Sequence, residues 1–337
     1  MLAVLMLLLV AEAPALQRFK LNPIEYVDQN LSETLVEGFT CVESDGQHLF
    51  LGVKNSPYVL ELDGKGAFIR AIGGVGKGPG KLGTAGVAAL SVSAGGLWVV
   101  PSDRSSIRYY ERGEALFKIP LRSYPMISDN TNVFAVSQDQ VVMAAHPRSK
   151  HLALAYNYDG KVEQPVGDIL PINREDLDYN PALNDTSWLF HGDKWYCLFK
   201  YRPFLWVFDK QLKLEQQFEL EGPEISVMEK NFYERAPKIF QIGSQFYPRR
   251  FFFDFKAFGD HLFFICRAVL YQVNRHDGRV VSRLAFYGEG KGFEKVGSDS
   301  NLFMRNFTFL DTGQLILSSR TDLWGNELWT VGKRFKR

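Results

Sequence analysis

The amino-acid sequence predicts an all-β fold, a six-bladed β-propeller built from four-stranded antiparallel blades. Three observations lead to this prediction: short apolar runs recur along the chain, a tight Gly or Asp turn precedes each run, and the pattern repeats six times at a spacing of 44 to 67 residues. Four-stranded units repeated at such a spacing are typical of propeller blades. The 27 phenylalanines and 14 tyrosines also favour strands over helices.

Six first turns define the units, and similar runs such as "HLFLGV", "HLFFIC" and "QLILSS" follow them. Asp-Gly and Gly-Gly sequences favour the positive φ that two-residue hairpins require. About twenty residues further on, a second turn and a similar preceding strand, as in "YVLELDG" and "LYQVNRHDG", complete most units. The first turns are Asp45-Gly46, Gly95-Gly96, Asp139, Gly192-Asp193, Gly259-Asp260 and Thr312-Gly313.

The sixth unit lacks an outer strand, because only a basic tail follows its third strand. The segment from Phe19 to Val27, "FKLNPIEYV", is predicted to supply the missing strand. Joining the two chain ends in this way would close the ring without an unpaired strand edge. No linker divides the chain, so residues 16–337 are interpreted as one domain.

The first fifteen residues, "MLAVLMLLLVAEAPA", are predicted to be a signal peptide that directs the protein to the periplasm or to secretion. Leu2 to Val10 form an apolar core too short to span a bilayer, and Ala13-Pro14-Ala15 fits a cleavage site. No Lys or Arg precedes the core, which is unusual for such a peptide. The alternative is an apolar cap on the folded domain.

The stretch "GGVGKGPGKLGTAGVAALSVSAGGLWVV" from Gly73 to Val100 raises a second alternative. Gly78 to Gly83 fits G-x-G-x-x-G, but a dinucleotide site needs a helix directly after these glycines, since the helix amides bind the pyrophosphate. A strand, a Gly-Gly turn and another strand follow instead. We therefore interpret the glycines as the connection between two blades.

This stretch, with "PSDRSSIRYYERGE" after it, resembles an NHL repeat, and "FYGEGKGFEKV" from Phe286 to Val296 resembles a second, degraded junction. The resemblance implies the six-bladed NHL or TolB-like propeller group, which includes secreted bacterial propellers. Members of the group bind proteins, RNA or glycans, and some relatives are enzymes. The resemblance therefore predicts a fold and not one activity.

The formal net charge of +1 argues against attraction of the whole protein to nucleic acid or to anionic membranes. In every unit, however, the loop between the second and third strands carries a cation. We predict an anion-binding face for an acidic ligand, glycan or protein partner, on a monomer without a cofactor; solvated loop charge is the alternative. The residues are Lys54, Arg104, Arg148, Arg202, Arg267 and Arg320.

Two long inter-blade connections, residues 170–185 and 221–250, are predicted to form a lid or partner surface, or to pack onto their own blades. A helix is predicted over Ile225 to Arg235. The three cysteines, Cys41, Cys197 and Cys266, lie in or next to apolar strands and are predicted to be buried and unpaired.

Enzyme motifs such as G-x-S-x-G and H-E-x-x-H are absent from the sequence. The alternative to a non-enzymatic binding module is a metal-assisted hydrolase or lyase at the channel mouth. His146 is the histidine placed best for such a role, and some six-bladed hydrolases hold calcium in the channel. Oxygen ligands near the corresponding positions are Glu37, Asp129, Asn132, Asp185 and Asn306.

Overall fold

The structure is a computed structural model that describes residues 13–24, 39–53, 56–76, 78, 80–84, 86–93, 95–121, 132–145, 149–170, 183–240, 250–287, 304–321 and 325–336. Over these residues the chain forms 24 strands and one helix. The strands are arranged as a β-propeller of four-stranded antiparallel blades. The predicted all-β propeller is thereby confirmed.

Four of the sheets contain four consecutive strands each, paired antiparallel in chain order. The first two are β2 (Phe39–Ser44), β3 (His48–Val53), β4 (Tyr58–Asp63) and β5 (Phe68–Gly73), then β6 (Val87–Ser93), β7 (Gly96–Pro101), β8 (Ser106–Glu111) and β9 (Glu114–Pro120). The other two are β10 (Phe134–Val136), β11 (Gln140–Ala144), β12 (His151–Asn157) and β13 (Val162–Asp168), then β14 (Thr186–His191), β15 (Lys194–Phe199), β16 (Phe204–Phe208) and β17 (Leu214–Glu219).

The fifth sheet has eight strands, in the order β18-β19-β20-β21-β1-β24-β23-β22. The N-terminal strand β1 lies in its middle and separates two groups of strands. One group is β18 to β21, and the other is β22 to β24. The strands are β18 (Phe252–Phe258), β19 (His261–Cys266), β20 (Val269–Asn274), β21 (Val280–Tyr287), β1 (Leu16–Pro23), β24 (Gly325–Arg334), β23 (Gln314–Thr321) and β22 (Met304–Phe309).

Strand β1 pairs with two different partners along its length. Residues 16–20 pair in parallel with β21, from Leu16 opposite Arg283 to Lys20 opposite Tyr287. Residues 21–23 pair antiparallel with β24, where Leu21 lies opposite Val331. The N-terminal segment therefore covers the outer edge of the last strand group and joins it to the preceding one.

The first strands of the groups pack against one another in a closed cycle. Strand β2 contacts β6, and the contacts continue through β10, β14, β18 and β22 back to β2. These inner strands surround the propeller axis. Runs such as "HLFFIC" in β19 are buried on both faces because neighbouring sheets cover them, which explains why the apolar residues are consecutive rather than alternating.

The interfaces between neighbouring sheets form the core. The cluster between the β10–β13 and β14–β17 sheets contains the fully buried Trp188, Trp195, Phe199 and Phe208. Burying one such side chain stabilises the fold by roughly 1.5–3 kcal/mol. Within this core, Cys41, Cys197 and Cys266 are buried and unpaired, which confirms the prediction for the thiols.

The two ends of the propeller carry different connections. One end, called the turn end below, carries the hairpins between the first and second strands, and turns from separate sheets meet there: the amide N–H of Asp311 donates to the carbonyl of Gly46 at 2.8 Å. The other end, called the loop end, carries the second-to-third-strand loops. Strands of six residues separate the two ends by roughly 20 Å.

The glycine-rich stretch connects β5 to β6, and no helix follows it. Gly73 and Gly74 have φ values of 109° and 128°, and the N–H of Leu82 donates to the carbonyl of Gly74 at 2.9 Å. A reversal of this kind requires the left-handed region that glycine tolerates. The interpretation as an inter-blade connection is confirmed.

Helix α1 (Pro223–Phe240) lies in the connection between β17 and β18 and extends the predicted helix at both ends. Proline at the first helical position and Glu224 in the first turn favour this start. Ile225 and Met228 are buried in the cluster between the flanking sheets. Among the described residues, no helix combines the length and the apolar character needed to cross a membrane.

Candidate functional site

A cavity of about 1050 Å³ opens at the turn end of the propeller. Residues of five strand groups line it, because the first hairpins converge there. Cavities of this size are typical of sites for small molecules or short chain segments. This cavity is called the turn-end cavity below.

The lining of the turn-end cavity combines apolar and polar side chains in about equal parts. The apolar lining comprises Phe50, Ile72, Val92, Leu97, Tyr110, Leu189, Phe190, Phe258 and Phe309. Phe258 and Phe309 stack with ring centroids 4.9 Å apart, which fixes this part of the wall. The walls can therefore pack against an apolar or aromatic part of a ligand.

The innermost part of the cavity carries a buried ion pair. Glu43 near the end of β2 and Lys256 on β18 are 8% and 6% exposed, and Lys256 Nζ donates a hydrogen bond to Glu43 Oε1. Because β22 lies between β2 and β18 in the ring, the two side chains meet across the propeller axis. They therefore form the floor of the cavity.

Asp254 lies behind this pair and is fully buried. Its Oδ1 is 3.6 Å from Lys256 Nζ and accepts a hydrogen bond from the Phe255 N–H at 2.8 Å, while its Oδ2 accepts one from the Phe307 N–H at 2.7 Å. Backbone N–H donors stabilise the ionised carboxylate. Lys256 is consequently shared between two carboxylates.

Burial, and then the two charged neighbours, determine the protonation of Glu43. Burial raises the pKa of Glu43 to about 7; Lys256 opposes the increase, and the carboxylate of Asp254 adds to it. For Lys256 burial acts in the opposite direction, yet Asp254 and Glu43 raise its pKa above the ordinary value. The ammonium therefore stays charged, and Glu43 exchanges a proton near neutral pH.

The rim of the cavity consists of paired polar side chains. His48 Nδ1 lies 2.9 Å from Asp45 Oδ2, and Glu61 Oε2 accepts a hydrogen bond from Arg70 Nε at 2.5 Å. Burial raises the pKa of Asp45, but hydrogen bonds from His48 and neighbouring amides outweigh it and leave the pKa below its usual range. These pairs fix the shape of the rim.

A further rim contact links two strand groups. His191 Nε2 donates to the carbonyl of Gly259 at 2.9 Å, so a hydrogen occupies this nitrogen. Asp260 next to it receives a hydrogen bond from Arg275 at 2.9 Å. The rim on this side is therefore held by contacts between β14–β15 and β18–β19.

Of the predicted anion-binding residues, the three whose side chains the structure describes, Arg104, Arg202 and Arg267, do not line this cavity. Arg267 is exposed in the tight turn between β19 and β20, and Arg104 and Arg202 are partly buried at the same loop end. Lys54 and Arg148 lie outside the described residues. Arg320 is placed on β23 opposite Asn326, and its side chain lies outside the description.

Two of these arginines adopt a backbone conformation that side chains rarely take. Arg104 and Arg267 have φ values of 55° and 59° at corresponding loops of two strand groups. An L-residue in the left-handed region costs roughly 1–2 kcal/mol compared with glycine. The sequence thus carries arginine at positions where glycine would fit the backbone better.

A buried pair near Arg202 further shapes the loop end. Lys200 Nζ donates to Asp185 Oδ1 at 2.9 Å, and Arg250 Nε donates to the hydroxyl of Tyr201 at 3.2 Å. Burial lowers the pKa of Lys200, and the pairing with Asp185 limits this decrease. Lys200, a buried cation of this loop, therefore joins the end of β15 to the residue that precedes β14.

The predicted metal ligands do not converge within the described part of the chain, where no group of three His, Cys, Asp or Glu side chains could hold a metal ion. Asp185 pairs with Lys200, Asn132 Oδ1 accepts from the Phe255 N–H at 3.3 Å, and Asn306 Nδ2 donates to the Thr40 carbonyl at 3.2 Å. Glu37, Asp129 and His146 lie outside the described residues.

Sequence reasoning missed Glu43, Asp254 and Lys256. The available signal was the run "FFFDFKAF", in which two charged residues two positions apart interrupt an aromatic strand. Residues i and i+2 of a strand face the same side, so Asp254 and Lys256 had to share one environment. The partner Glu43 comes from a distant strand and carries no comparable signal.

Three solved structures resemble this chain over nearly their whole length. A candidate exported protein of Bacteroides fragilis has 11% identity and a TM-score of 0.57 over 96% of this chain and 100% of its own. A streptogramin B lyase has 12% identity and a TM-score of 0.55 over 93% of this chain and 97% of its own. The Neurospora crassa Pan2 WD40 domain has 9% identity and a TM-score of 0.51 over 94% of this chain and 96% of its own.

At these identities the resemblance shows the propeller fold alone. No protein-family model matches the chain, and no curated protein sequence matches it.

Proposed function

We propose that this protein is a secreted or periplasmic, non-enzymatic binding protein that holds its ligand in the turn-end cavity. The observation that carries the proposal is the cavity of about 1050 Å³, whose lining combines apolar side chains with charged ones and includes the buried Glu43–Lys256 pair. Apolar walls with a few well-placed polar groups are the usual composition of a ligand site. The similarity to a candidate exported propeller supports the location.

We also propose six blades of the NHL or TolB-like type. The closed cycle of six inner strands supports this count. The eight-stranded sheet is then two blades, and β1 serves as the outer strand of the last one. Because β1 also pairs with β21, it would tie the last blade to its neighbour and close the ring.

The loop end stays our proposal for a second contact with an anionic ligand, glycan or acidic protein. Support comes from Arg104 and Arg267, which occupy backbone positions unfavourable for a side chain. Arginine binds carboxylates and phosphates through two parallel hydrogen bonds. On this proposal Lys54, Arg148, Arg202 and Arg320 complete the same face.

A lyase or hydrolase is the second candidate. A single observation favours it: Glu43, whose pKa is about 7, lines a cavity and could accept a proton at neutral pH. One of the similar solved structures is a streptogramin B lyase. Turnover of a bound ligand, abolished by Glu43→Gln, would favour this candidate over a binding protein.

The test of the binding proposal compares two identical substitutions. Leu189 lines the cavity, so Leu189→Trp adds a bulky ring to its wall and narrows it, whereas Leu214→Trp places the same side chain on the exposed outer strand β17. We would screen neutral and acidic oligosaccharides and short peptides against the native protein by calorimetry. A ligand that binds native protein and Leu214→Trp, but not Leu189→Trp, supports the proposal.

Two results would contradict it. If no compound binds, the protein is not a receptor for these ligand classes. If binding survives Leu189→Trp but is lost in the double variant Arg104→Ala, Arg267→Ala, the ligand site is at the loop end.

A further inference from the structure

The charge of the turn-end cavity differs from the charge predicted for the loop end. Among the described residues that line the cavity, five carboxylates, Glu43, Asp45, Glu61, Asp260 and Asp311, face three permanently cationic side chains, Arg70, Arg112 and Lys256. His48 and His191 add positive charge only when protonated. Arg275, which does not line the cavity, pairs with Asp260, so the carboxylates exceed the permanent cations by one where Glu43 is ionised, above about pH 7.

The deficit of positive charge is concentrated at the floor. Lys256 is one ammonium between two carboxylates, and the oxygens of Asp254 already accept two backbone hydrogen bonds. Of the two carboxylates beside Lys256, Glu43 lines the cavity and Asp254 does not. One further cation beside Glu43 would balance the charge of this group.

The walls determine what must accompany that cation. Phe50, Phe190, Phe258 and Phe309 line the cavity together with the aliphatic Leu189 and Val92. An aromatic or aliphatic group attached to the cation would bury its surface there. The aromatic rings can also attract a cation directly.

We propose that the turn-end cavity binds an organic amine, in which an ammonium group pairs with Glu43 and an apolar or aromatic group packs against the phenylalanine walls. This inference rests on the proposed binding function and names its ligand class. It assigns the opposite charge preference to the two ends of the propeller: cations at the turn end and anions at the loop end.

The charged groups that surround Glu43 determine how binding depends on pH. Lys256 and Asp254 face Glu43 from β18, and Cys41 lies on its own strand with a thiol that burial keeps protonated. A bound ammonium favours the ionised carboxylate, so binding releases a proton wherever Glu43 is protonated in the free protein. Amine affinity should therefore fall as the pH decreases below about 7.

The experiment uses three probes that share a benzyl group and differ in the terminal group: phenethylamine, phenethyl alcohol and phenylacetate. Binding to the full-length protein is measured by calorimetry near pH 8 and near pH 6. We expect the amine to bind about tenfold more tightly than the alcohol at the higher pH, the equivalent of one charge-assisted contact. The amine should lose about tenfold of its affinity at the lower pH, and the alcohol should lose none.

The matched variants are Glu43→Gln and Glu215→Gln. Glu215 on β17 pairs with Lys194 on β15; both side chains are half-exposed, and neither lines the cavity. Glu43→Gln should reduce amine affinity to that of the alcohol, which itself stays unchanged. Glu215→Gln should retain the tenfold preference, and circular dichroism verifies that both variants are folded.

The remaining outcomes contradict either the amine inference alone or the proposed binding function as well. Equal binding of amine and alcohol, or preferred binding of phenylacetate inside the cavity as judged by Leu189→Trp, overturns the amine inference and leaves the binding function standing. Failure of all three probes overturns the amine inference as well. If the wider screen also finds no ligand, the proposed function itself fails.

Discussion

Replacement of Glu43 by glutamine should change the pH dependence of stability in a predictable direction. Glutamine has nearly the same size and can still accept a hydrogen bond from Lys256. It removes a carboxyl group whose pKa burial raises to about 7. Lys256 retains Asp254 at 3.6 Å as its ionic partner, so no buried ammonium is left without a carboxylate.

The magnitude follows from the pKa of Glu43, which rises from 4.5 to about 7 in the folded protein. A carboxyl group with a raised folded pKa binds its proton more tightly when folded, so stability falls as the pH rises from the unfolded to the folded value. At about 1.4 kcal/mol per pKa unit, native protein loses roughly 2–3 kcal/mol of stability between pH 5 and pH 8 through this group. The Glu43→Gln variant should not lose this stability, because glutamine does not ionise.

The assay is urea unfolding followed by tryptophan fluorescence, since the chain has six tryptophans. Native protein, Glu43→Gln and Glu215→Gln are compared at both pH values. From pH 5 to pH 8, the free energy of unfolding of native protein should fall by roughly 2–3 kcal/mol relative to that of Glu43→Gln. Glu215→Gln should stay within about 0.5 kcal/mol of native protein at both values.

The reasoning would be refuted if native protein and Glu43→Gln showed parallel pH profiles. It would also be refuted if the variant lost stability at high pH relative to native protein, because Glu43 would then be stabilised in its ionised form by Lys256.

Three further predictions concern the core and the closure of the ring. Lys256→Met should lower the free energy of unfolding by about 3–5 kcal/mol, because two buried carboxylates lose their cation. The double variant Lys256→Met, Glu43→Gln should recover part of this loss. Equal stabilities of the single and double variants in urea would contradict the shared ion pair. Deletion of residues 16–23 should strongly lower the melting temperature because Leu21 leaves a buried cluster, and an unchanged value would contradict ring closure by β1. All three thiols should react with a thiol reagent only after unfolding, because they are buried and burial raises their pKa values; reaction in the native state would contradict this.

Most of the fold could be predicted from local patterns. The first turns, the apolar runs that follow them and the start of α1 depend on residues close in sequence, and Gly73 and Gly74 show the positive φ expected of them. The parallel pairing of β1 with β21 could not be predicted, because "LQRFK" fits the outer edge of either group. That pairing depends on how two sheets meet in space.

The site shows where such reasoning ends. Arg104 and Arg267 lie in the predicted loops, but a count of cations by loop cannot tell where a cavity opens. The cavity depends on how far the inner strands diverge at each end, which is a property of the packing of the whole ring. Glu43 and Lys256 are more than two hundred positions apart, so only the folded chain brings them together.

The location of the ligand tests the central claim most directly. Methyl NMR spectra of leucine- and valine-labelled protein, titrated with phenethylamine, report on both ends of the propeller at once. We expect shifts at Val92, Leu97 and Leu189, which line the turn-end cavity, and none at Leu205 and Val269, which lie toward the loop end. Shifts confined to Leu205 and Val269, or absent at both ends, would contradict the account.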